Sequence, residues 1–228
     1  MKPSTIAIDG PAASGKSTIG YHLAQYLDYL YLDTGALYRA VTWAALTRDI
    51  PIEDEAQVTA LAEELPIQVT PPTEDDGRQY TVRVAGQDVT WAIRTPAVDG
   101  AVSPVSTYPG VREALTQRMR EIAAQGQVVM VGRDIGTVVL PAADLKIYVV
   151  ASAEARARRR VKDLEARGQV ADYEAVLANI RERDAIDSGR AAAPLRPADD
   201  AVLLDNTALS FEELFRHIEQ LVDTRAHV

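Results

Sequence analysis

Gly10-Pro11-Ala12-Ala13-Ser14-Gly15-Lys16-Ser17 is the stretch whose reading decides the fold of this chain. It satisfies the pattern G-x-x-x-x-G-K-S in full. It lies between a short apolar run, Thr5-Ile6-Ala7-Ile8, and a helical pattern from Lys16 to Leu27. Glycine is needed where backbone wraps closely around an anion, because a Cβ there would block the approach. The amides of such a loop converge on phosphate oxygens, with the positive end of the following helix behind them. Lys16 adds a mobile charge that can follow the β- and γ-phosphates of ATP. Ser17 can offer a hydroxyl to Mg²⁺, and Thr18 starts the helix beside it. Gly10 through Thr18 is therefore the expected phosphate-donor site.

Outward from the loop, strand and helix patterns alternate. Leu30-Tyr31-Leu32 reads as a strand ending at Asp33, followed by helices from Gly35 to about Arg48 and from Glu53 to Leu65. The segment from Ile67 to Val89 has a different texture. Ile67-Gln-Val-Thr, Tyr80-Thr-Val-Arg-Val and Asp88-Val-Thr-Trp alternate apolar and polar residues around two turns, the pattern of a small antiparallel sheet inserted at the periphery. A helix is predicted from Gly110 to Gln125. Val128–Val131 and Lys146–Val150 are continuous apolar runs, as expected of strands buried on both faces. A basic helix follows from near Ala153 and another spans Tyr173 to Ala185, ahead of a loop carrying Asp187 and Arg190. Val202–Asp205 is a last strand, and Ser210-Phe-Glu-Glu213 is a capping box for the final helix. Alternation of this kind implies an α/β fold with a five-stranded parallel sheet between helical layers.

Composition narrows the function classes. The chain has 228 residues, 47% hydrophobic and 25% charged, which suits one α/β domain with a modest insert. A net charge of -9 argues against general nucleic-acid binding, since phosphate contacts need a basic face. The absence of cysteine removes disulfides, thiolate metal sites and cysteine nucleophiles. No apolar run is long enough to span a bilayer, and a cytoplasmic monomer is the expectation. His22, His217 and His227 have no ligand spacing.

The loop alone does not name a reaction. An Asn-Lys-x-Asp guanine-reading motif is missing, so a switch GTPase is disfavoured. The strand Val128–Val131 leads into Gly132-Arg133-Asp134 rather than directly into an acid, which looks more like recognition of a second anion. Transfer to an acceptor that is itself a phosphate must hold two polyanions together, and arginine suits this because its planar fork pairs bidentately and stays charged. Arg39, Arg133, Arg183 and Arg190 lie in expected loops or element edges, and Arg156-x-Arg158-Arg159-Arg160 adds a basic helical run whose other reading is a solvated face. A kinase for UMP or a non-nucleotide alcohol, and a nucleotide-dependent switch without transfer, both remain open at this point.

Five segments in order resemble the bacterial cytidylate kinase family: Gly10–Thr18, Leu32-Asp-Thr-Gly-Ala-Leu-Tyr-Arg39, Val111-Arg-Glu, Gly132-Arg-Asp-Ile-Gly-Thr-Val-Val139, and Arg183-Asp-x-x-Asp187-x-x-Arg190, with Ala193-Pro-Leu-x-Pro197 after them. The resemblance covers essentially the whole chain. It implies one kinase domain over residues 1–228, with a core of 1–64, 100–152 and 191–228. A β-rich insert of about 65–99 would elaborate the monophosphate site, and an Arg-rich helical lid with its adjoining helix would span about 153–190. It implies ATP-dependent phosphorylation of CMP, and of dCMP, with Mg²⁺ held through Ser17. Lys16, Arg133, Arg156 and Arg159 would act on the transferring phosphoryl group. Arg39 and Arg133 would hold the CMP phosphate, and Arg183 and Asp187 the sugar hydroxyls. Thr34, Ser103, Arg112, Asp134 and Arg190 would surround the base, with Thr34 standing where the family commonly has serine. An aspartate there fits cytosine, whose exocyclic amine donates to a carboxylate. Uracil would present a carbonyl instead, an unpaired contact worth about 1–3 kcal/mol.

Overall fold

In chain order the elements are β1 (Thr5–Asp9), α1 (Lys16–Leu27), β2 (Leu30–Asp33), α2 (Gly35–Thr47), α3 (Glu55–Glu64), β3 (Ile67–Thr70), β4 (Thr81–Val84), β5 (Gln87–Asp88), α4 (Pro96–Val105), α5 (Pro109–Ala123), β6 (Val128–Gly132), β7 (Leu145–Val150), α6 (Ala153–Ala166), α7 (Tyr173–Gly189), β8 (Val202–Asp205) and α8 (Phe211–Arg225). A π-helical turn, Ile135–Val139, follows β6. The computed structural model describes residues 2–166, 168, 170–190 and 193–225, so His227 lies outside the described residues.

The main sheet has five strands in the order β2-β6-β1-β7-β8, with the small antiparallel sheet β3-β4-β5 apart from it. β1 pairs in parallel with β7 (Ile6 opposite Leu145, Ile8 opposite Ile147), and β7 pairs in parallel with β8 (Ile147 opposite Val202). The α/β architecture read from the alternating pattern is therefore the fold. Every residue of β6 is buried, as are all but the last of β7, which is why these two strands read as unbroken apolar runs.

Contacts divide the chain into two units, Met1–Leu27 with Val129–Val228, and Asp28–Val128. In the first, Ile19, Leu23, Ala24 and Leu27 form the buried face of α1, and Leu214, Ile218 and Val222, spaced by four, form that of α8. Ala157, Leu177 and Ile180 seal α6 against α7. In the second unit, α2 buries a small-residue face (Ala36, Leu37, Ala40, Val41, Ala44, Ala45) and contacts α3 and α4. The hairpin between β4 and β5 turns through Ala85 and Gly86, with φ of 48° and 83°. Both central residues lie in the left-handed region that a two-residue hairpin loop needs.

The boundaries that depart most from the sequence reading are four. Residues 96–105 form a helix, α4, that the pattern did not reveal because Gly100 and Pro104 interrupt it. Pro96 at its first turn is compatible with helix, having no amide hydrogen to leave unpaired. α3 begins at Glu55 rather than Glu53, because the Asp54 carboxylate caps it by accepting from the Gln57 amide at 3.0 Å. β5 stops at Asp88: Val89 N still donates to Val82 O at 2.9 Å, but Val82 N donates to Thr90 Oγ1 and Thr90 N to Asp88 Oδ1, so side chains stand in for the next main-chain partners. α7 runs on to Gly189, which places Asp187 in the helix rather than in a loop.

Candidate active site

The loop between β1 and α1 is shaped by close approach. Gly10 has φ 155° and a Cβ on it would fall 2.3 Å from the Val149 carbonyl; Gly15 has φ 90°. Ala13 also sits in the left-handed region, at φ 58°. Ile19 N donates to Gly15 O at 3.0 Å, so the helix is closed from the loop's last glycine onward. The Lys16 ammonium is buried and donates to Pro11 O at 2.9 Å, within the arc of its own loop. Ser17 is half-buried and Thr18 exposed.

Directly before the loop stands a residue the sequence reading passed over. Asp9 is 5% exposed, and its two carboxylate oxygens accept from Ile135 N at 2.8 Å and Gly136 N at 2.7 Å. These are the first amides of the π-helical turn, so Asp9 ties the donor loop's entry to the Gly132-Arg133-Asp134 segment. Burial pushes its carboxyl up to about 6 from 3.8, partly offset by those two amide bonds. A raised folded pKa gives a definite sign: the protonated form is favoured in the fold, so stability falls as pH rises from about 4 to about 6 and is flat above. Asp9→Asn is expected to remove this slope. In urea unfolding at pH 4–7, the wild-type minus variant difference should fall by up to about 3 kcal/mol across that window; a pH-independent difference would refute it.

After β6, Arg133 and Asp187 form an ion pair through Arg133 Nε, and Arg190 Nη2 reaches the other Asp187 oxygen at 2.5 Å. Asp187 is 5% exposed. Two guanidinium groups from separate chain segments are thus held on one buried carboxylate. Arg183 lies on α7 one turn before Asp187, and Arg190 is the residue that ends the helix. Leu195, in the Ala193–Pro197 segment, is buried and donates its amide to Asp187 O at 2.8 Å. Asp134 is buried at the head of the π-helical turn and does not cap it through its side chain. Tyr148, opposite Asp9 in the β1–β7 register, is a further buried residue here. Burial raises its phenol pKa, with the Asp9, Asp184 and Asp187 charges adding and Arg133 opposing.

The basic run on α6 splits into two faces. Arg158 and Arg160 are exposed, whereas Arg156, at 4% exposure, and half-buried Arg159 turn inward. Arg156 forks onto Asp184 at 2.9 and 2.6 Å and also donates to Ala151 O and Ala12 O. Arg159 donates to the side-chain and main-chain oxygens of Asn206. Asp184 stands in the Arg183–Arg190 segment but was given no role from sequence, and Asn206 was not singled out at all. The one signal for Asn206 was its position at the carboxyl end of β8, where ligands bind in such sheets.

The second unit holds the remaining expected ligands. Arg39 pairs with Asp99 at 2.6 Å and donates to Ile93 O at 3.2 Å; it lies inside α2 rather than in a loop. Thr34 is buried at the start of α2. Arg112 is buried, donates to Ser106 O at 3.1 Å, and its guanidinium lies 5.8 Å from the Tyr38 ring centre. Ser103 is exposed on α4. Asp33 accepts from Gly35 N at 3.1 Å, a local cap for α2. His22 is exposed and lies 4.9 Å from the Phe211 ring, a packing role.

The donor set suits Mg²⁺. That ion keeps several waters and takes few protein ligands beside phosphate oxygens, and Ser17 offers one hydroxyl at the loop's end. Among the described residues no helix is long and apolar enough to cross a membrane.

Comparison with known proteins finds a matching family. The sequence profile of cytidylate kinase matches residues 6–224. A cytidylate kinase of Bacillus licheniformis is 47% identical over 225 residues, covering 99% of this chain and 98% of the relative. One of Chloroflexus aggregans is 52% identical over 208 residues, covering 91% and 89%. Among solved structures, an uncharacterized protein from Eubacterium ventriosum superposes with a TM-score of 0.53 at 10% identity, over 96% of this chain and 98% of that one, a likeness of fold alone.

Proposed function

The chain belongs to the cytidylate kinase family and is a nucleoside monophosphate kinase, and on that premise we propose that it transfers the γ-phosphoryl group of ATP to CMP, and to dCMP. The observation that carries this reading is the pair of arginines, Arg133 and Arg190, held on the buried Asp187 in the unit that also bears the donor loop. That arrangement presents fixed positive charge to a second anion.

The acceptor is a phosphate oxygen already ionised near neutral pH, so the reaction needs no strong general base. Rate enhancement comes from alignment and neutralisation of charge. Gly10–Thr18 hold the ATP phosphates, and Lys16 follows the transferring group. Mg²⁺, held through the Ser17 hydroxyl and nucleotide oxygens, supplies further neutralisation when bound. Arg133 has its Nε engaged by Asp187, which leaves the terminal nitrogens of its fork to grip the CMP phosphate. Arg39 is proposed as a second phosphate ligand. Arg183 and Asp187 take the sugar hydroxyls, and Thr34, Ser103, Arg112, Asp134 and Arg190 the cytosine. The segment of about 153–190 is the lid. For Arg156 and Arg159 to touch the transferring phosphoryl group, they must exchange Asp184 and Asn206 for phosphate oxygens as the lid closes.

The test is a panel of CMP, dCMP, UMP and AMP with ATP and Mg²⁺. CMP is expected to exceed UMP in kcat/KM by about tenfold or more, the worth of one mismatched buried acceptor. Greater turnover on UMP than on CMP would overturn the assignment. In Asp134→Ala the CMP/UMP ratio should shrink by about that factor, and an unchanged ratio would remove Asp134 from base recognition.

A further inference from the structure

A loop that turns its amides toward an anion must turn its carbonyls the other way, and those carbonyls need donors of their own. The peptide group is planar with C=O and N–H antiparallel, so fixing one carbonyl fixes the direction of the next residue's N–H. Three carbonyls of the donor loop are held in this way. Pro11 O accepts from Lys16 Nζ at 2.9 Å, Ala12 O from Arg156 Nη1 at 3.1 Å, and Ser14 O from Asn206 Nδ2 at 2.7 Å.

The last of these is the most constrained. Asn206 is 4% exposed and lies 192 positions from Ser14 in the chain. Its backbone N–H donates to Val150 O at 3.0 Å, which anchors it to the end of β7. Its side-chain oxygen accepts from Arg159 Nη1 at 3.0 Å, and its main-chain oxygen accepts from Arg159 Nη2 at 2.5 Å. Because Arg159 can only donate, it claims the oxygen side of the amide and leaves the NH₂ side facing Ser14 O. A Cβ on Gly15 would fall 3.2 Å from Asn206 Nδ2, so the second motif glycine is also what lets this amide come so near.

We propose that Asn206, oriented by Arg159, is a positioning residue for the donor nucleotide, turning the Ser14–Gly15 peptide so that the Gly15 N–H faces the triphosphate. The inference rests on the reading of Gly10–Ser17 as the donor-phosphate site. It operates when the donor binds, before any exchange of Arg159 onto the transferring phosphate. Asparagine is required because both halves of its amide are used. Alanine loses the donor, and aspartate sets a carboxylate oxygen against the Ser14 carbonyl.

The experiment is calorimetric titration of wild type, Asn206→Ala and Asn206→Asp with ADP, without acceptor, alongside steady-state kinetics. Both variants should bind ADP about tenfold more weakly, the cost of one lost buried hydrogen bond. KM for ATP should rise in parallel while KM for CMP stays unchanged. Arg159→Gln, which leaves the loop and Asn206 intact, should weaken ADP by a smaller factor, about threefold; it supplies the test should either Asn206 variant fail to give a cooperative melt. Wild-type ADP affinity in every folded variant would overturn the proposal, as would equal increases in KM for both substrates. Failure of the wild type itself to bind ADP would instead refute the donor-site reading.

Discussion

Lys16→Met is expected to lower kcat for CDP formation by about two to three orders of magnitude, the scale seen when a preorganised donor to a developing charge is removed. Methionine matches the length of the lysine stem, and the side chain is buried, so packing in the loop should survive. What disappears is the only charge within the loop. In the structure its ammonium rests on Pro11 O, a contact inside the same arc of chain that a phosphate oxygen can replace without moving backbone. Pro11 O retains a weaker donor in Ser14 N, 3.4 Å away, so no buried carbonyl is stranded by the change. The loss therefore falls on the transition state. CMP affinity, measured by calorimetry in the absence of ATP, should stay within about threefold of wild type, as it does when an interaction made only in the transition state is removed. A variant with kcat within tenfold of the parent would show that Lys16 does not act on the transferring group.

How much of this was legible before the structure follows from the range of the interactions involved. β1, α1, β2 and α2 were read nearly to the residue because the cues are local: an apolar run, a glycine loop, a 3.6-residue period. Residues 96–105 were missed as a helix for an equally local reason, since Gly100 and Pro104 erase the pattern while Val98 and Val105 are still buried. The extension of α7 through Asp187 depends on tertiary partners, Arg133 from one side and the Leu195 amide on its carbonyl, which no window along the chain contains. The site divided in the same way. Lys16, Arg133, Asp134 and Asp187 announced themselves by motif. Asp9 and Asn206 did not, because their partners lie 126 and 192 positions away. An acid ending the apolar strand Ile6-Ala7-Ile8 was the one available hint for Asp9. For Arg156 and Arg159 the sequence left a solvated face and contact with phosphate both open, and in the structure protein groups occupy both guanidinium forks. Arginine's preference for planar acceptors does not distinguish a carboxylate or an amide from a phosphate.

Asp187 supports the second large prediction, because one carboxylate serves two cations there. Asp187→Ala leaves the Arg133 and Arg190 guanidinium groups without the charge that holds them, and both are mostly withdrawn from solvent, with side-chain exposures of 21% and 14%. Removing one partner of such a buried pair costs about 3–5 kcal/mol. A urea titration should therefore show a midpoint shifted strongly downward with little change in slope. Asp187→Asn keeps the volume but not the charge, and should recover only part of the loss. Function should suffer beyond stability: with its Nε released, the Arg133 fork no longer has a fixed direction, and KM for CMP should rise by about a hundredfold, the range expected when a buried charged hydrogen-bond partner is truncated. CMP itself separates a functional arrangement from a merely structural one. Weaker CMP binding carries a smaller linked stabilisation, so at one fixed CMP concentration the melting temperature of Asp187→Asn should rise by less than that of the wild type. Equal shifts would mean that Asp187 holds Arg133 and Arg190 for the sake of the fold and does not orient the CMP site.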